Sequence, residues 1–161
     1  MGDISHELIY RHATGDEVNA FAHLLREDAA DYLDRTLALM DVSWTEFVDL
    51  VETVGTVHAI CNGNEVVGYM WTEERDRILH LHGIVVRSDW RGQGIGTAAL
   101  TMLVESYAGK LDAIELGVHE SNRRALALYE RLGYGAVRRL TDLGYVVMQR
   151  PLSPAQSPRK E

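Results

Sequence analysis

The chain has 161 residues, of which 46% are hydrophobic and 25% are charged, and its formal net charge is −8. A chain of this length and composition buries a substantial core, so we expect one folded cytoplasmic domain. The acidic balance disfavours binding to nucleic acid or to an anionic membrane surface, and the single cysteine, Cys61, excludes an intrachain disulfide and a cysteine zinc cluster.

The first third of the chain combines one strand with helices. Glu7–Arg11 is predicted to be a strand, and the pattern from Asp16 to about Tyr32 is helical, with Asp16 as the expected cap. A second helix is expected at Trp44–Val54, where Gly55 stops it. No pattern assigns the residues between the two helices.

An antiparallel meander is expected next. Val57–Cys61 and Val66–Thr72 are typical of strands, and the turn Asn62-Gly63-Asn64 between them contains residues that tolerate positive φ. After the charged turn Glu73–Asp76, a third strand is predicted at Ile78–Val86. Three consecutive strands without an intervening helix favour antiparallel pairing.

The second half of the chain alternates helices and strands. A polar, glycine-rich connector follows Val86, and after it come a helix to about Tyr107, a strand at Ile114–Val118, a helix at Asn122–Leu132 and strands at Tyr134–Leu140 and Tyr145–Gln149. All three prolines lie in Pro151–Glu161. We therefore predict a single domain, residues 1–150, and a flexible tail, residues 151–161.

The connector is the first sign of a binding function. Gly92, Gly94 and Gly96 lack Cβ atoms where the loop enters the helix, so backbone N–H groups can approach a ligand there. The helix N-terminus adds partial positive charge, and the combination is typical of a phosphate-binding loop. A tight turn that needs glycine only for its shape is the alternative.

Two nucleotide-binding motifs resemble this loop only in part. A Walker loop requires Lys and then Ser or Thr after its last glycine, whereas Gly96 precedes Thr97-Ala98. The residues from Gly94 to Ala99 spell the dinucleotide pattern G-x-G-x-x-A, and Glu115 follows about 20 residues later. The distance between Val86 and Gly94 is too long for that fold, however, and Glu115 does not end a strand.

The stretch Ile84–Gly96 resembles the pyrophosphate loop of the GNAT (N-acetyltransferase) superfamily. The signature of the superfamily is Arg or Gln, two residues of any type, Gly, one residue of any type, and Gly or Ala, and Arg91, Gly94 and Gly96 match it. A second stretch, residues 116–134, resembles the superfamily's unit of strand, asparagine, helix and Gly-Tyr. The two units occur in the correct order along the chain.

The resemblance implies an α/β domain (α+β in some schemes) with a mixed, largely antiparallel central sheet flanked by helices, the GNAT acyl-CoA acyltransferase fold. The strands that begin near Ile78 and Ile114 would splay apart around the cofactor. The implied reaction is direct transfer of acetyl from acetyl-CoA, as cosubstrate and without a metal, to a primary amine whose identity the sequence leaves open. Homodimers are common in the superfamily.

By resemblance, the cofactor contacts are mainly backbone contacts. The strand would hydrogen-bond the pantetheine arm of acetyl-CoA, and the loop would hold its pyrophosphate. The residues concerned are Ile84, Val85, Val86, Arg91, Gly92, Gln93, Gly94, Ile95, Gly96, Thr97 and Asn122. Asn122 has an alternative interpretation as the N-cap of the helix that follows it.

Aminolysis of a thioester needs a deprotonated amine and a proton for the departing thiolate. Tyr129 occupies the position where the superfamily often carries a tyrosine that donates to the CoA sulfur, and core packing is its alternative. His80 and His82 are candidates for the base, because imidazole titrates near neutral pH. By resemblance, His80 falls near the position where some members place a glutamate base.

The two histidines also have other interpretations. Each is compatible with a structural histidine or with the lining of an acceptor pocket, and their H-x-H spacing suggests a metal site for which no third ligand is evident. Glu73, Glu74 and His119 are weaker candidates for the base. For the whole protein, the alternative function is a catalytically silent acyl-CoA-binding or sensing module.

Overall fold

The computed structural model describes residues 8–152. In chain order the elements are β1 (Leu8–His12), α1 (Gly15–Asp28), α2 (Leu33–Leu39), α3 (Trp44–Thr53), β2 (Thr56–Asn62), β3 (Glu65–Arg75), β4 (Ile78–Val86), a 3₁₀ turn (Ser88–Trp90), α4 (Ile95–Tyr107), β5 (Ala113–His119), α5 (Arg123–Arg131), β6 (Gly135–Leu140) and β7 (Tyr145–Pro151). The strands form one sheet in the order β1-β2-β3-β4-β5-β7-β6. The pairing of β4 with β5 is parallel, whereas β1–β2, β2–β3, β5–β7 and β6–β7 are antiparallel. The predicted mixed, largely antiparallel sheet is thus confirmed.

Contacts divide the chain into two compact units. Within residues 8–152, the first unit contains residues 8–73 together with His82–Ala99, and the second unit contains Glu74–Leu81 together with residues 100–152. Strands β3 and β4 and helix α4 contribute residues to both units. Over residues 8–152, no helix is long and apolar enough to cross a membrane.

Helix α1 begins at Gly15, one residue before the predicted start at Asp16. The Thr14 hydroxyl accepts from the Glu17 amide, and the Glu17 carboxylate accepts from the Thr14 amide, so the two residues form a capping box. The prediction of Asp16 as the cap is therefore wrong, since Asp16 lies in the first turn, where its charge favours the helix dipole. The helix also ends at Asp28, and Tyr32 is instead the N-cap residue of α2.

Aromatic side chains dominate the core of the first unit. Phe21 is fully buried, and its ring lies 6.4 Å from that of Trp71, which also meets Phe47 edge-on at 6.0 Å. The indole N–H of Trp71 donates to the Val54 carbonyl over 2.6 Å, so the only polar atom of that side chain is satisfied. This packing fixes the end of β3 against α1 and α3.

The β2–β3 hairpin is confirmed, but the next turn differs from the prediction. Strand β3 continues to Arg75, so the residues from Glu73 to Arg75 that were expected in a turn lie in the strand. The chain reverses at Asp76 and Arg77, whose φ angles are 55° and 64°. A two-residue hairpin loop of type I′ needs this left-handed conformation at both positions. As a result, Glu73 lies on a strand instead of in the predicted turn.

In the second unit, β5 pairs with β4 on one edge and with β7 on the other. The core side chains include Leu79, Leu103, Ile114 and Met148, all of which are buried.

The prediction of a flexible tail at residues 151–161 is wrong for its first two residues. Pro151 ends β7, and Leu152 is buried and donates its amide to the Asp112 carbonyl over 2.8 Å. The rest of the predicted tail, residues 153–161, lies outside the described residues.

Candidate active site

The glycine loop in the first unit presents open backbone. Gly92 and Gly94 have φ angles of 76° and 81°, which L side chains rarely adopt, and a Cβ built at either of them or at Gly96 would meet no atom within 4 Å. The Ala98 amide donates to the Gly94 carbonyl over 2.9 Å at the start of α4. The earlier amides of a helix have no intrahelical acceptor. The loop therefore fits a diphosphate, which needs several N–H donors and space.

Two side chains anchor the connector that leads into this loop. Trp90 is buried and its indole N–H donates to a Glu65 carboxylate oxygen over 3.2 Å. Arg87 donates from its guanidinium to the Val66 carbonyl over 2.9 Å and from its amide to the Val67 carbonyl over 2.8 Å. The glycines thus follow a connector whose backbone is fixed to β3.

Arg91, the first signature residue, turns its side chain back onto the protein. Its Nε donates to the Val86 carbonyl over 3.0 Å, and its terminal nitrogen lies 3.1 Å from an Asp28 carboxylate oxygen. This arrangement links the end of β4 to the last residue of α1. It agrees with a cofactor contact through the backbone of Arg91, which stays a prediction.

The remaining predicted cofactor residues are placed as follows. Val85 and Ile95 are buried, so only their backbone atoms suit a ligand, whereas Ile84, Val86, Gln93 and Thr97 are half-buried or exposed. In the second unit, the Asn122 side-chain oxygen accepts from the Ala125 amide over 3.2 Å, so Asn122 caps α5. Its contact with a cofactor remains a prediction.

Tyr129 belongs to a pair of tyrosines in the second unit. Its ring centroid lies 5.6 Å from that of Tyr134, and both residues are buried. Burial raises the pKa of Tyr134 to about 12, and its hydroxyl has no hydrogen-bond partner within the described chain. Tyr134 also lines a cavity of about 90 Å³ together with Leu132 and Arg150. Packing is therefore the structural role of both rings.

His80 lies at one end of a polar row across the sheet of the second unit. It is in register with Glu115 on β5, which is in register with Gln149 on β7. Nδ1 of His80 is 3.4 Å from Oε2 of Glu115, whose Oε1 accepts a hydrogen bond from Gln149 over 2.8 Å. Arg138 approaches the same Oε2 to 3.6 Å. We call these four residues the Glu115 row.

His82 lies in a different environment in the first unit. Its Nε2 is 2.8 Å from Oε1 of Glu73, and its ring centroid is 4.9 Å from that of Trp71. The side chains of His82 and Glu73 are 29% and 22% exposed, against 14% and 13% for His80 and Glu115. Each histidine thus has its own carboxylate, and the more buried pair is the one in the second unit.

The structure also shows the surroundings of His119 and Glu74, the weaker candidates for the base, and bears on the suggested metal site. His119 Nδ1 lies 2.8 Å from the Ser121 hydroxyl, and Glu74 is exposed at the end of β3. Sequence reasoning missed the pairing of Glu115 with His80, although a lone carboxylate in the apolar strand β5 was a usable signal. Across residues 8–152, no three His, Cys, Asp or Glu side chains are arranged to hold a metal ion.

Sequence and structure comparisons identify the class of protein. The acetyltransferase (GNAT) family profile matches residues 18–134, and the chain therefore belongs to the GNAT acetyltransferase family. A mycothiol acetyltransferase of Propionibacterium freudenreichii is 31% identical over 113 residues, which cover 67% of this chain and 34% of that protein. An uncharacterized N-acetyltransferase of Methanocaldococcus jannaschii is 36% identical over 83 residues, 50% of this chain and 34% of that protein. The matched stretches span about a third of these curated relatives.

Solved structures share the fold. The ribosomal-protein-S18-alanine N-acetyltransferase of Escherichia coli superposes with a TM-score of 0.69 at 20% identity, covering 96% of this chain and 100% of that one. A GNAT family acetyltransferase of Elizabethkingia anophelis with acetyl-CoA bound gives a TM-score of 0.68 at 16% identity, covering 91% and 99%. The predicted GNAT fold is thus confirmed.

Proposed function

We propose that this protein is an acetyl-CoA-dependent N-acetyltransferase that moves acetyl to a primary amine by direct attack in a ternary complex. The observation that carries the proposal is the glycine loop, where two left-handed glycines leave open space beside the backbone and lead into the first turn of α4, whose amides have no intrahelical acceptor. Membership of the GNAT family and the acetyl-CoA complex of a structural neighbour support the same cosubstrate.

In the proposed reaction the amine nitrogen attacks the thioester carbonyl carbon, and the carbon–sulfur bond breaks. A histidine of β4, His80 or His82, takes the proton from the amine, and Tyr129 gives a proton to the departing sulfur. The products are an N-acetyl amide and CoA with a free thiol. The loop amides would hold the pyrophosphate, while the backbone of Ile84–Val86 and the Asn122 side chain would hold the pantetheine arm.

The acceptor is proposed only as a class. The net charge of −8 suits a cationic amine. The names of similar proteins include both a mycothiol acetyltransferase and a ribosomal-protein-S18-alanine N-acetyltransferase. Small amines and peptide N-termini therefore both belong in the first screen.

Release of the CoA thiol from acetyl-CoA tests the proposal, with small amines, polyamines, aminoglycosides and peptide N-termini as acceptors. We expect amine-dependent release with at least one of these classes. If CoA binds but no amine in the panel releases thiol, the silent acyl-CoA-binding module is the better description. If CoA does not bind at all, the loop assignment itself is wrong.

A matched pair of glycine variants tests the loop. Gly94→Ala and Gly109→Ala each force a side chain onto a φ near 80° where no atom lies within 4 Å, so both carry similar backbone strain of about 1–2 kcal/mol. Gly109 lies outside the loop, just after α4. We expect Gly94→Ala to weaken CoA binding at least about tenfold, whereas Gly109→Ala should change only the melting temperature. Equal CoA affinity in both variants would remove the loop from the binding site.

A further inference from the structure

We infer that Glu115 is a positioning residue that makes His80, and not His82, the base of the proposed transferase. The inference rests on the proposed function, because it names the group that removes the proton from the amine. It comes from a difference between the two histidines of β4, which contact their carboxylates through different ring nitrogens.

His80 faces Glu115 with Nδ1, the ring nitrogen closer to its own backbone. A carboxylate beside Nδ1 favours the tautomer in which that nitrogen carries the proton, so the acceptor lone pair lies on Nε2, at the outer end of the ring. The outer nitrogen reaches furthest from the strand. This tautomer is the one that suits a side chain which accepts a proton from a bound amine.

The polar neighbours of Glu115 hold it in the position that this task requires. Gln149 donates to Oε1 over 2.8 Å, and this leaves Oε2 for His80 and Arg138. Register places His80, Glu115 and Gln149 side by side on three neighbouring strands, so backbone pairing fixes their spacing. A carboxylate that is only 13% exposed is costly unless it is paired, which keeps Glu115 bound to its partners.

When His80 accepts the amine proton it becomes an imidazolium beside the Glu115 carboxylate. That opposite charge stabilises the protonated ring, while Arg138, 3.6 Å from the same oxygen, moderates the effect. Gln149 contributes no charge. The proton moves from the amine nitrogen to Nε2, and no other bond of the histidine changes.

His82 has the opposite arrangement. Its Nε2 is bound to Glu73 over 2.8 Å, so the outer nitrogen is the one occupied by the carboxylate. Its ring also packs against Trp71, which is itself fixed in the aromatic core. Glu73 and Trp71 thus fix the His82 ring in place. Its other ring nitrogen, Nδ1, is the one closer to its own backbone.

Matched carboxylate variants, Glu115→Gln and Glu73→Gln, test this inference. We expect Glu115→Gln to lower kcat about tenfold to a hundredfold, because an amide can donate to Nδ1 and so favour the wrong tautomer. The low-pH limb of kcat/KM should also shift to lower pH by roughly one unit, because the imidazolium loses its counter-charge. Glu73→Gln should leave the position of that limb unchanged.

Two controls separate positioning from folding. Glu115→Asp keeps the negative charge, so the low-pH limb of kcat/KM should stay at the position it has in the parent. The shorter side chain can still lower kcat. The melting temperature and CoA affinity of Glu115→Gln should remain near those of the parent, since a folding defect would change both.

The outcomes distinguish the inference from the proposed function. If the parent releases thiol and Glu115→Gln keeps both the parent rate and the parent limb, the inference is wrong and the function stands. A shift of the limb in Glu73→Gln instead would assign the base to His82. If the parent releases no thiol with any amine, the proposed function itself fails.

Discussion

The two histidines of β4, His80 and His82, are separated by a single residue, but their pairs with Glu115 and Glu73 differ in burial and in surroundings. The pair of His80 and Glu115 is nearly buried and belongs to a polar row across neighbouring strands. The pair of His82 and Glu73 is about twice as exposed and lies against an aromatic side chain. A histidine paired with a glutamate thus belongs to a polar network in the second unit, whereas in the first unit such a pair packs against an aromatic ring.

This difference implies that the carboxylate partner decides which ring nitrogen of the histidine carries the proton. A carboxylate at Nδ1 and a carboxylate at Nε2 favour different tautomers of the same ring. One tautomer presents its lone pair at the outer end of the side chain, and the other presents it near the backbone.

Replacing the histidines themselves should have the largest effect. We expect His80→Ala to lower kcat/KM about a thousandfold and to remove the low-pH limb, since general-base catalysis contributes a factor of about 10²–10⁴. His82→Ala should lower kcat/KM by less than about tenfold and keep the limb. The measurement is the pH profile of kcat/KM for both variants. A limb that is unchanged in both would exclude histidine as the base.

Tyr129→Phe extends the comparison to the proposed acid in the second unit. Loss of the phenol proton should lower kcat about a hundredfold, because the thiolate would leave without a proton donor. CoA affinity should change by less than about threefold, since a phenyl ring keeps the packing against Tyr134. Steady-state kinetics and CoA titration measure the two effects. Full activity in this variant would leave Tyr129 only its packing role.

His58 shows what a buried histidine does without a carboxylate. Burial lowers its pKa, and its Nδ1 has no hydrogen-bond partner within the described chain. As the pH falls below the ordinary histidine pKa of about 6.5, the unfolded chain binds a proton that the folded chain binds less readily. Stability is therefore present above that pH and is lost as the pH falls through it toward the lowered folded pKa.

The variant His58→Gln should remove this loss. We expect its melting temperature to fall less than that of the parent between roughly pH 7 and pH 5. His23→Gln, at an exposed histidine of the same unit, is the matched control and should keep the parent's slope. Parallel slopes for His58→Gln and the parent would show that His58 is not responsible.

Tyr134→Phe should have the smallest effect. It removes a buried hydroxyl without a hydrogen-bond partner in the described chain, so we expect a gain of about 1 kcal/mol in the free energy of unfolding. That gain corresponds to a rise in Tm of about 2–4 °C for a protein of this size. kcat should stay at the parent value, in contrast to Tyr129→Phe. A fall in Tm would show that the hydroxyl is hydrogen-bonded, for example to water in the adjoining cavity.

The sequence predicted those parts of the fold that local patterns determine. The bounds of β4 are as predicted, because alternation and the following glycines lie within one short stretch. The cap of α1 was misassigned although the pattern Thr14-x-x-Glu17 is also local, since Asp16 is an equally good cap by residue type. Helix α2 has no such pattern. Its seven residues depend on the burial of Leu33 and Leu37 in the core of the first unit.

The sequence predicted candidate residues for the site but not how they pair. Both histidines were candidates for the base because they lie just before a recognisable loop and imidazole titrates near neutral pH. Their carboxylate partners lie on other strands, so only strand register brings Glu115 beside His80, and only the extension of β3 places Glu73 on a strand. Register depends on side chains far apart in the sequence, which single-residue patterns do not contain.

The distribution of tryptophans makes the two units separately observable. Trp44, Trp71 and Trp90 are the only tryptophans of the chain, and all three belong to the first unit. Emission excited at the red edge of the absorption band therefore reports the aromatic core and the anchor of the glycine loop. Quenching or a spectral shift on addition of CoA can be assigned to that unit, while the second unit, with the Glu115 row, is spectroscopically silent at that wavelength.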